Sequence, residues 1–252
     1  MNRGIVAGNW KMHGSRQFVI DYLSALAGQR FDGRLLLIPP AGYLSLLADL
    51  VAQHGLSDRV ELGAQNLHPE ASGPFTGEMS GEMLKDLGAA WVLVGHSERR
   101  QFAGEDNQLV AAKFVAALRA DLKPILCVGE TAAEREAGSA AEVVVGQLEA
   151  VLELAGIAGL AQGGVAYEPV WAIGTGKTAT PALAQEMHGL IRGGLAKASS
   201  QVAATIPVLY GGSVKGSNAR ALFAEEDIDG GLVGGASLEA GELAAIARCL
   251  AP

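Results

Sequence analysis

The sequence is poor in cysteine, and this removes support for several classes of site. Only Cys127 and Cys249 occur among 252 residues, and neither a CxxC nor an HExxH pattern is present. Zinc sites and thiol redox centres use such closely spaced ligands. We therefore predict no metal site. The low cysteine content favours a reducing compartment, although a disulfide between the two cysteines stays open.

Positive charge is also scarce. The chain has 19 Lys and Arg against 27 Asp and Glu, a formal net charge of −8. This balance argues against a nucleic-acid surface, while an anionic substrate remains compatible with local donors. No apolar leader follows the first methionine, and the longest uncharged stretch, residues 198–214, contains Ser, Gln, Thr, Pro and Gly. We expect no signal peptide, no membrane span and a cytoplasmic protein.

Aromatic residues are few, at 5%, whereas apolar residues make up 49%. Small aliphatic side chains must therefore fill a large core. Eight short apolar runs predict strands, and they begin about 32 residues apart on average, the length of one βα unit. The predicted strands span residues 5–9, 35–38, 60–65, 91–95, 125–128, 165–168, 208–210 and 231–233.

The segments between these runs carry helical spacing. Phe18, Tyr22 and Leu26 lie four residues apart, on one face of a helix, and similar sets recur further along the chain. Gly28 and Gly156 are among the predicted helix ends. Eight strand–helix units predict an α/β fold with a closed eight-stranded parallel (β/α)8 barrel. We predict one domain over residues 1–252; a doubly wound open sheet is the alternative.

Reactive side chains follow three of the predicted strands. Asn9 and Lys11 follow the first strand, His96 follows the fourth, and Glu168 ends the sixth. All strand ends of a parallel barrel meet at one rim, which carries the active sites of barrel enzymes. Singly, each residue has an ordinary structural interpretation, such as a surface lysine for Lys11 or a capping glutamate for Glu168. Together they predict an active site.

Glu168 is the candidate general base. Its apolar surroundings are expected to raise the carboxyl pKa towards the value that a base needs at neutral pH. A stiff apolar segment and then a glycine-rich one follow it, a pattern that predicts a closing lid. The lid residues are Pro169, Val170, Trp171, Ala172, Ile173, Gly174, Thr175, Gly176, Lys177 and Thr178. The Gly-Lys-Thr at its end is not a P-loop, because Trp171 occupies the first glycine position of that motif.

His96 is the candidate acid. If a helix begins near Ser97, its positive end disfavours the imidazolium and leaves a neutral ring that can donate a proton. A nucleophile elbow around Ser97 is rejected, because Arg99 replaces the last glycine of that motif. Lys11 can hold an anion or a developing oxyanion.

Paired glycines follow the last two strands, in Tyr210-Gly-Gly-Ser213-Val and Val-Gly234-Gly235-Ala-Ser. Exposed backbone N–H groups at such turns predict a phosphate site, and barrels commonly bind phosphate after strands seven and eight. No G-x-G-x-x-G follows a strand, so no dinucleotide cofactor is expected.

Residues 66–80 form a long connection with Phe75 at its tip. Such loops are usually functional. An apolar tip would be poorly placed in water, so we predict that Phe75 inserts into a second subunit. The alternative is that the loop folds back onto its own barrel.

Five segments of this chain resemble motifs of the triosephosphate isomerase family. They are GNWKM at 8–12, GHSERR at 95–100, AYEPVWAIGTGK at 166–177, YGGSV at 210–214 and VGGASL at 233–238. The resemblance implies a homodimeric TIM barrel that interconverts dihydroxyacetone phosphate and D-glyceraldehyde 3-phosphate without a cofactor, in glycolysis and gluconeogenesis. His13 and Pro74 depart from common family residues, and Pro74 lies in the dimer loop, next to Phe75.

The resemblance also implies roles for individual residues. Glu168 matches the base, His96 the neutral acid and Lys11 the electrostatic group. Asn9 and Glu98 match catalytic neighbours, and Ser97 matches the residue that holds the base in its open position. Asn9, Lys11, Gly174, Ser213, Gly234 and Gly235 match substrate-binding residues, and Thr76 matches a residue of the dimer loop.

Two other functions stay open from the residues alone. One is another phosphosugar barrel enzyme, an epimerase or an aldolase. An epimerase would usually need metal ligands at the rim, and a Schiff-base aldolase would need a lysine on a strand. The other is a catalytically silent barrel that binds a partner through residues 66–80. The intact set of Lys11, His96 and Glu168 speaks against the silent barrel. A coupled assay with triose phosphates, with and without a chelator, separates the isomerase from the other enzymes.

Overall fold

The computed structural model describes residues 4–31, 33–173 and 179–250. Within these residues, eight strands form a closed parallel barrel in chain order, as predicted. The strands are β1 (Ile5–Asn9), β2 (Arg34–Ile38), β3 (Val60–Ala64), β4 (Trp91–Val94), β5 (Lys123–Val128), β6 (Gly164–Tyr167), β7 (Val208–Tyr210) and β8 (Gly230–Val233). The first strand pairs with the last, from Ile5 opposite Gly230 to Gly8 opposite Val233, so the open-sheet alternative is wrong.

Helices surround the barrel in the described part of the chain. They are α1 (Arg16–Ala27), α2 (Leu44–Gln53), α3 (Gly81–Asp86), α4 (Ser97–Ala103), α5 (Asn107–Arg119), α6 (Ala132–Glu136), α7 (Ala140–Leu160), α8 (Pro181–Ala203), α9 (Gly216–Phe223) and α10 (Ala240–Ala247). Short 3-10 turns span Ala41–Tyr43, Val170–Ala172 and Gly235–Leu238. Polar caps begin several helices; for example, Ser15 accepts a hydrogen bond from the N–H of Phe18 at 3.0 Å.

Two predicted boundaries illustrate how glycine shapes the helices and strands. The fourth strand ends at Val94 instead of residue 95, because Gly95 has a φ of +71°, which leaves the extended conformation. Gly156, a predicted helix end, has a φ of +67° and breaks α7 into two helical parts instead of ending it. The third and sixth strands also end one residue earlier than predicted, at Ala64 and Tyr167.

The buried apolar residues form two clusters, one inside the barrel and one between the barrel and the helices. The barrel interior is lined by small and aliphatic side chains with Trp91 as the single aromatic among them: Ile5, Ala7, Leu36, Ile38, Trp91, Leu93, Ile125, Cys127, Ala166, Leu209 and Leu232. A larger cluster packs the outer faces of the strands against the helices. This division confirms that small aliphatic residues fill the interior.

One described helix, α7, is long and apolar enough to cross a membrane by length and composition, with a mean hydropathy of 1.7. In the fold it packs against α5 and α8, and Val144, Leu148 and Val151 are buried beneath it. Core helices of barrels share these properties, so the helix is weak evidence for a membrane.

Candidate active site

On two strands, the residues that face the barrel interior alternate along the chain up to a polar residue at the rim. Ile5 and Ala7 face the interior of the barrel, so Asn9 of the same strand has the same parity. Ala166 faces inward on β6, and Glu168, two residues on, therefore also points over the barrel mouth. Both Asn9 and Glu168 are buried, although each is polar. Strand alternation alone therefore brings two of the predicted residues together.

His96 reaches the same place by a different route. It shares the parity of Val92 and Val94, which pack outside the barrel, but the left-handed turn at Gly95 redirects the chain. Its Nε2 lies 2.9 Å from Oε1 of Glu168. A Cβ atom at Gly95 would lie 2.8 Å from Cγ1 of Val110, so only glycine fits this turn without rearrangement.

His96 also caps α4, which begins at Ser97 as predicted. Its Nδ1 accepts a hydrogen bond from the N–H of Glu98 at 3.2 Å, so Nδ1 carries no proton and the single ring proton lies on Nε2. Burial lowers the pKa of His96, but the carboxylates of Glu168 and Glu98 raise it by more, so it lies above the ordinary value. This net direction is opposite to the one expected from the helix end, because the two carboxylates outweigh it. The contact of Nδ1 with the Glu98 N–H still favours the neutral ring, since a proton on Nδ1 would point at another N–H group.

Glu168 is held by hydrogen bonds, and this overturns one sequence expectation. Its Oε2 accepts the N–H of Ser97 at 2.8 Å while Oε1 faces His96. Burial raises the pKa of Glu168, but His96, the Ser97 N–H and the Lys11 ammonium lower it by more. The net pKa lies below the ordinary value, not above it, because these donors and the Lys11 charge offset the apolar surroundings. Ser97 holds the base through its main chain.

Lys11 is fixed in a strained conformation. Its φ is +51°, a left-handed value that a residue with a side chain rarely adopts. The side-chain oxygen of Asn9 accepts the Lys11 N–H at 3.0 Å, and the side-chain amide of Gln65 donates to the Lys11 carbonyl at 2.8 Å. The Lys11 ammonium lies 2.6 Å from Oε1 of Glu98. Gln65 was not among the predicted site residues, yet it holds Lys11 from the position directly after β3.

Arg100 was also missed by the sequence analysis. Its guanidinium donates to the carbonyl of Gly95 at 2.9 Å, to the carbonyl of Cys127 at 3.2 Å and to Asn107 at 2.8 Å. Burial lowers the pKa of Arg100, and nearby carboxylates including Glu168 oppose this. The arginine thus secures the peptide that precedes His96. The signal in the sequence that could have indicated this role is a basic residue four positions after His96.

The described members of the predicted phosphate site line the same cavity as the reactive side chains. Ser213, Gly234 and Gly235 line a cavity of about 460 Å³, together with Asn9, Lys11, His96 and Glu168. A Cβ atom at Gly234 would lie 3.6 Å from Cε of Lys11, so the glycine-rich turn after β8 lies close to the Lys11 side chain. Glu98 lines a neighbouring cavity and joins the site through Lys11. The structure therefore brings the described members of the predicted site around one space.

The first part of the predicted lid is described, and it is tied to the barrel. Pro169 precedes the 3-10 turn Val170–Ala172, and Ala172 and Ile173 line the cavity. Nε1 of Trp171 donates to Glu130 at 2.8 Å, and Tyr167 and Arg135 donate to the same carboxylate oxygen. Gly174, Thr175, Gly176, Lys177 and Thr178 lie outside the described residues. The prediction that Gly174 binds substrate is therefore untested.

The predicted dimer loop, residues 66–80, lies between β3 and α3. The ring of Phe75 lies 4.1 Å from that of His68, so part of its surface packs within the loop, yet 39% of the residue stays exposed. Neither Phe75 nor Thr76 is among the residues lining the cavity of its own chain. The insertion of Phe75 into a second subunit stays a prediction.

Within the part of the chain that the structure describes, no cluster of three His, Cys, Asp or Glu side chains is arranged to hold a metal ion. Lys11 and Lys215 line the cavity from loops rather than from strands. The structure thus gives the rim an acid, a base, an ammonium and a set of glycine-rich turns.

Comparison with known proteins gives a consistent result. The sequence model of the family described as Triosephosphate isomerase matches residues 4–250. A relative named Triosephosphate isomerase from Stenotrophomonas maltophilia (strain K279a) is 52% identical over 253 residues, covering 100% of this chain and 99% of the relative. Another with the same name, from Xanthomonas axonopodis pv. citri (strain 306), is 51% identical over 254 residues with the same coverage of both chains.

Proposed function

The chain belongs to the triosephosphate isomerase family, and from this premise we propose that Glu168, His96 and Lys11 carry out its proton transfers. The protein interconverts dihydroxyacetone phosphate and D-glyceraldehyde 3-phosphate, a reaction of glycolysis and, in reverse, of gluconeogenesis. The observation that supports these roles is the convergence of the three side chains on one cavity.

Glu168 removes a proton from C1 of dihydroxyacetone phosphate, and the C–H electron pair forms the C1–C2 double bond of an enediolate. The protonated Glu168 then returns the proton to C2, which yields the aldehyde. A carboxylate 2.9 Å from His96 leaves no room for substrate between them, so Glu168 leaves His96 and Ser97 when substrate binds. Loss of those donors raises the pKa of Glu168, because burial then dominates.

His96 and Lys11 act on the substrate oxygens. The proton on Nε2 of His96 is donated to the oxygen that becomes negative, and the ring can move it between the two oxygens as the proton shifts between carbons. The ammonium of Lys11 stabilises the developing negative charge, while Asn9 and Glu98 hold it in place. Fixed donors act without reorganisation during the reaction.

The phosphate group binds at the opposite end of the cavity. We assign it to the backbone N–H groups near Ser213, Gly234 and Gly235, with Gly174 of the lid as a fourth donor. Residues 169–178 close over the bound phosphate and exclude water from the enediolate. No cofactor is required for these steps.

The catalytic assignment is tested with Glu168→Asp in a coupled triose-phosphate assay. The shorter side chain withdraws the carboxylate by about 1 Å or more from C1, a displacement that costs on the order of 10²-fold in kcat with a much smaller change in KM. Glu142→Asp, on the exposed start of α7, serves as the matched control. Near-wild-type turnover by Glu168→Asp would refute the base assignment.

We propose further that the enzyme is a cytoplasmic homodimer. Met12 and Phe102 are 95% and 77% exposed, and both line a second cavity of about 480 Å³ that shares Lys11 and Glu98 with the active site. Exposed apolar side chains around a cavity are typical of protein interfaces. Phe75 and Thr76 of the partner subunit would fill this space and support Lys11.

The dimer is tested with Phe102→Asp, measured by size exclusion with light scattering. Wild-type protein is expected at about twice the 25.9 kDa chain mass, and the variant at the chain mass with reduced turnover. The control is Leu154→Asp, which changes an exposed apolar residue on a different helix, α7, and this variant is expected to stay dimeric. A dimeric and fully active Phe102→Asp would overturn the proposed interface.

A further inference from the structure

The lysines that line the active-site cavity differ in whether their ammonium group forms an ion pair. The protein carries a net charge of −8, yet its substrate is a phosphate ester with about two negative charges. Local cations must therefore offset the repulsion that the whole molecule exerts on the substrate. Among the described residues that line the cavity, the lysines are Lys11 and Lys215.

The Lys11 ammonium is already paired with a carboxylate, Oε1 of Glu98, at 2.6 Å. Lys215 is different, because it lies two residues after Ser213, at the phosphate end. It is exposed, and no carboxylate in the described part of the chain forms an ion pair with it. The nearby Glu242 instead accepts the N–H of Gly216 at 2.8 Å.

The backbone position of Lys215 is fixed relative to the phosphate turn. The Lys215 N–H donates to the side-chain oxygen of Asn218 at 2.8 Å, and the amide of Asn218 donates to the carbonyl of Ser213 at 3.0 Å. One side chain therefore holds both ends of the Ser213–Lys215 turn. The lysine precedes α9 and lies at the edge of the cavity, where an entering anion passes it.

We propose that Lys215 is a specificity-determining residue that captures the phosphate group of the substrate. Its unpaired ammonium attracts phosphate-bearing trioses into the cavity and gives little advantage to trioses without phosphate. The inference deepens the proposed function and rests on the assignment of the phosphate end. Lys215 takes no part in the proton transfers.

The experiment compares Lys215→Gln with wild type on two substrates. With D-glyceraldehyde 3-phosphate at low salt, kcat/KM is expected to fall about threefold, mainly through KM, as for the loss of one exposed charge contact. With phosphate-free D-glyceraldehyde the change is expected to be much smaller. The difference should shrink between about 0.01 M and 0.1 M salt, where the Debye length falls from about 30 Å to about 10 Å.

Two controls separate the local charge from other effects. Lys197→Gln removes an exposed lysine on α8 and makes the same change in net charge, and it is expected to leave both substrates unaffected. Lys215→Arg keeps the charge and is expected to retain the wild-type selectivity. Circular dichroism confirms that each variant is folded.

The outcomes are distinct. A loss confined to the phosphate-bearing substrate and weakened by salt supports the inference. An equal loss on both substrates, no loss, or the same loss in Lys197→Gln overturns it, even when wild-type turnover upholds the proposed function. Absence of triose-phosphate turnover in the wild type would instead refute the proposed function itself.

Discussion

Gly211, which follows Tyr210, leaves room for Glu168, the proposed base, and filling that space should slow the reaction. A Cβ atom at Gly211 would lie 2.9 Å from Cγ of Glu168 and 3.1 Å from the carbonyl oxygen of Tyr167. The Gly211 N–H already donates to that carbonyl at 2.7 Å, so the backbone cannot easily retreat. In Gly211→Ala, the Glu168 side chain must therefore move.

The size of the movement sets the expected loss. Ordinary van der Waals contact begins near 3.4 Å, so a contact of 2.9 Å requires a shift of about 0.5 Å. A misplacement of 1 Å in a reacting group costs on the order of 10²-fold, so half of that costs about tenfold in kcat, or about 1.4 kcal/mol. The loss should fall mainly on kcat, since the phosphate contacts are retained.

The assay is steady-state turnover of triose phosphate, with thermal unfolding followed by circular dichroism. Gly193→Ala on α8 is the matched control, because a Cβ atom there meets no atom within 4 Å. Alanine is favoured over glycine inside a helix by up to about 1 kcal/mol, so this control should be fully active and at least as stable as wild type. Unchanged kcat in a folded Gly211→Ala would show that Glu168 is not confined by this contact.

Two further predictions concern His188 and Trp171. Burial holds the pKa of His188 at about 4, below its unfolded value of about 6.5, so the unfolded chain binds more protons between these limits and stability falls as the pH drops. Denaturant titrations should show that wild type loses about 2 kcal/mol more than His188→Gln between pH 7 and 5; equal losses would contradict this. Trp171→Phe removes the hydrogen bond to Glu130 and should loosen the start of the lid. Lower kcat and more methylglyoxal, formed when the enediolate loses its phosphate, are expected, and an unchanged by-product fraction would argue against the lid.

Local sequence pattern was sufficient for the barrel and for part of its rim. The position of Asn9 and Glu168 at the ends of predicted strands was enough to place them at the rim. That they point over the mouth follows from Ala7 and Ala166 on the same strands, which the structure shows facing inward. Spacing at about 32 residues predicts the repeated βα units, and closure then brings the ends of β1, β4 and β6 together. These features depend on short-range periodicity, which a single sequence records.

Contacts between distant segments were not predictable in the same way. Gln65 holds the Lys11 carbonyl across 54 positions of the chain, and Arg100 reaches the carbonyl of Cys127 on a neighbouring strand. Such donors are recognisable only once the barrel closes. The turn at Gly95 is intermediate: its glycine is visible in the sequence, but its necessity comes from Val110 on α5.

The pKa of Glu168 shows why composition alone misjudges a buried group. The strand before it is apolar, which by itself predicts a raised pKa. The donors that reverse the sign, Ser97 and His96, lie 71 and 72 positions earlier in the chain and meet the carboxylate through tertiary structure. The same contacts keep the base ionised at rest. In the mechanism proposed above, substrate displaces these contacts, and binding would convert a stabilised carboxylate into a stronger base at the moment when a proton is to be removed.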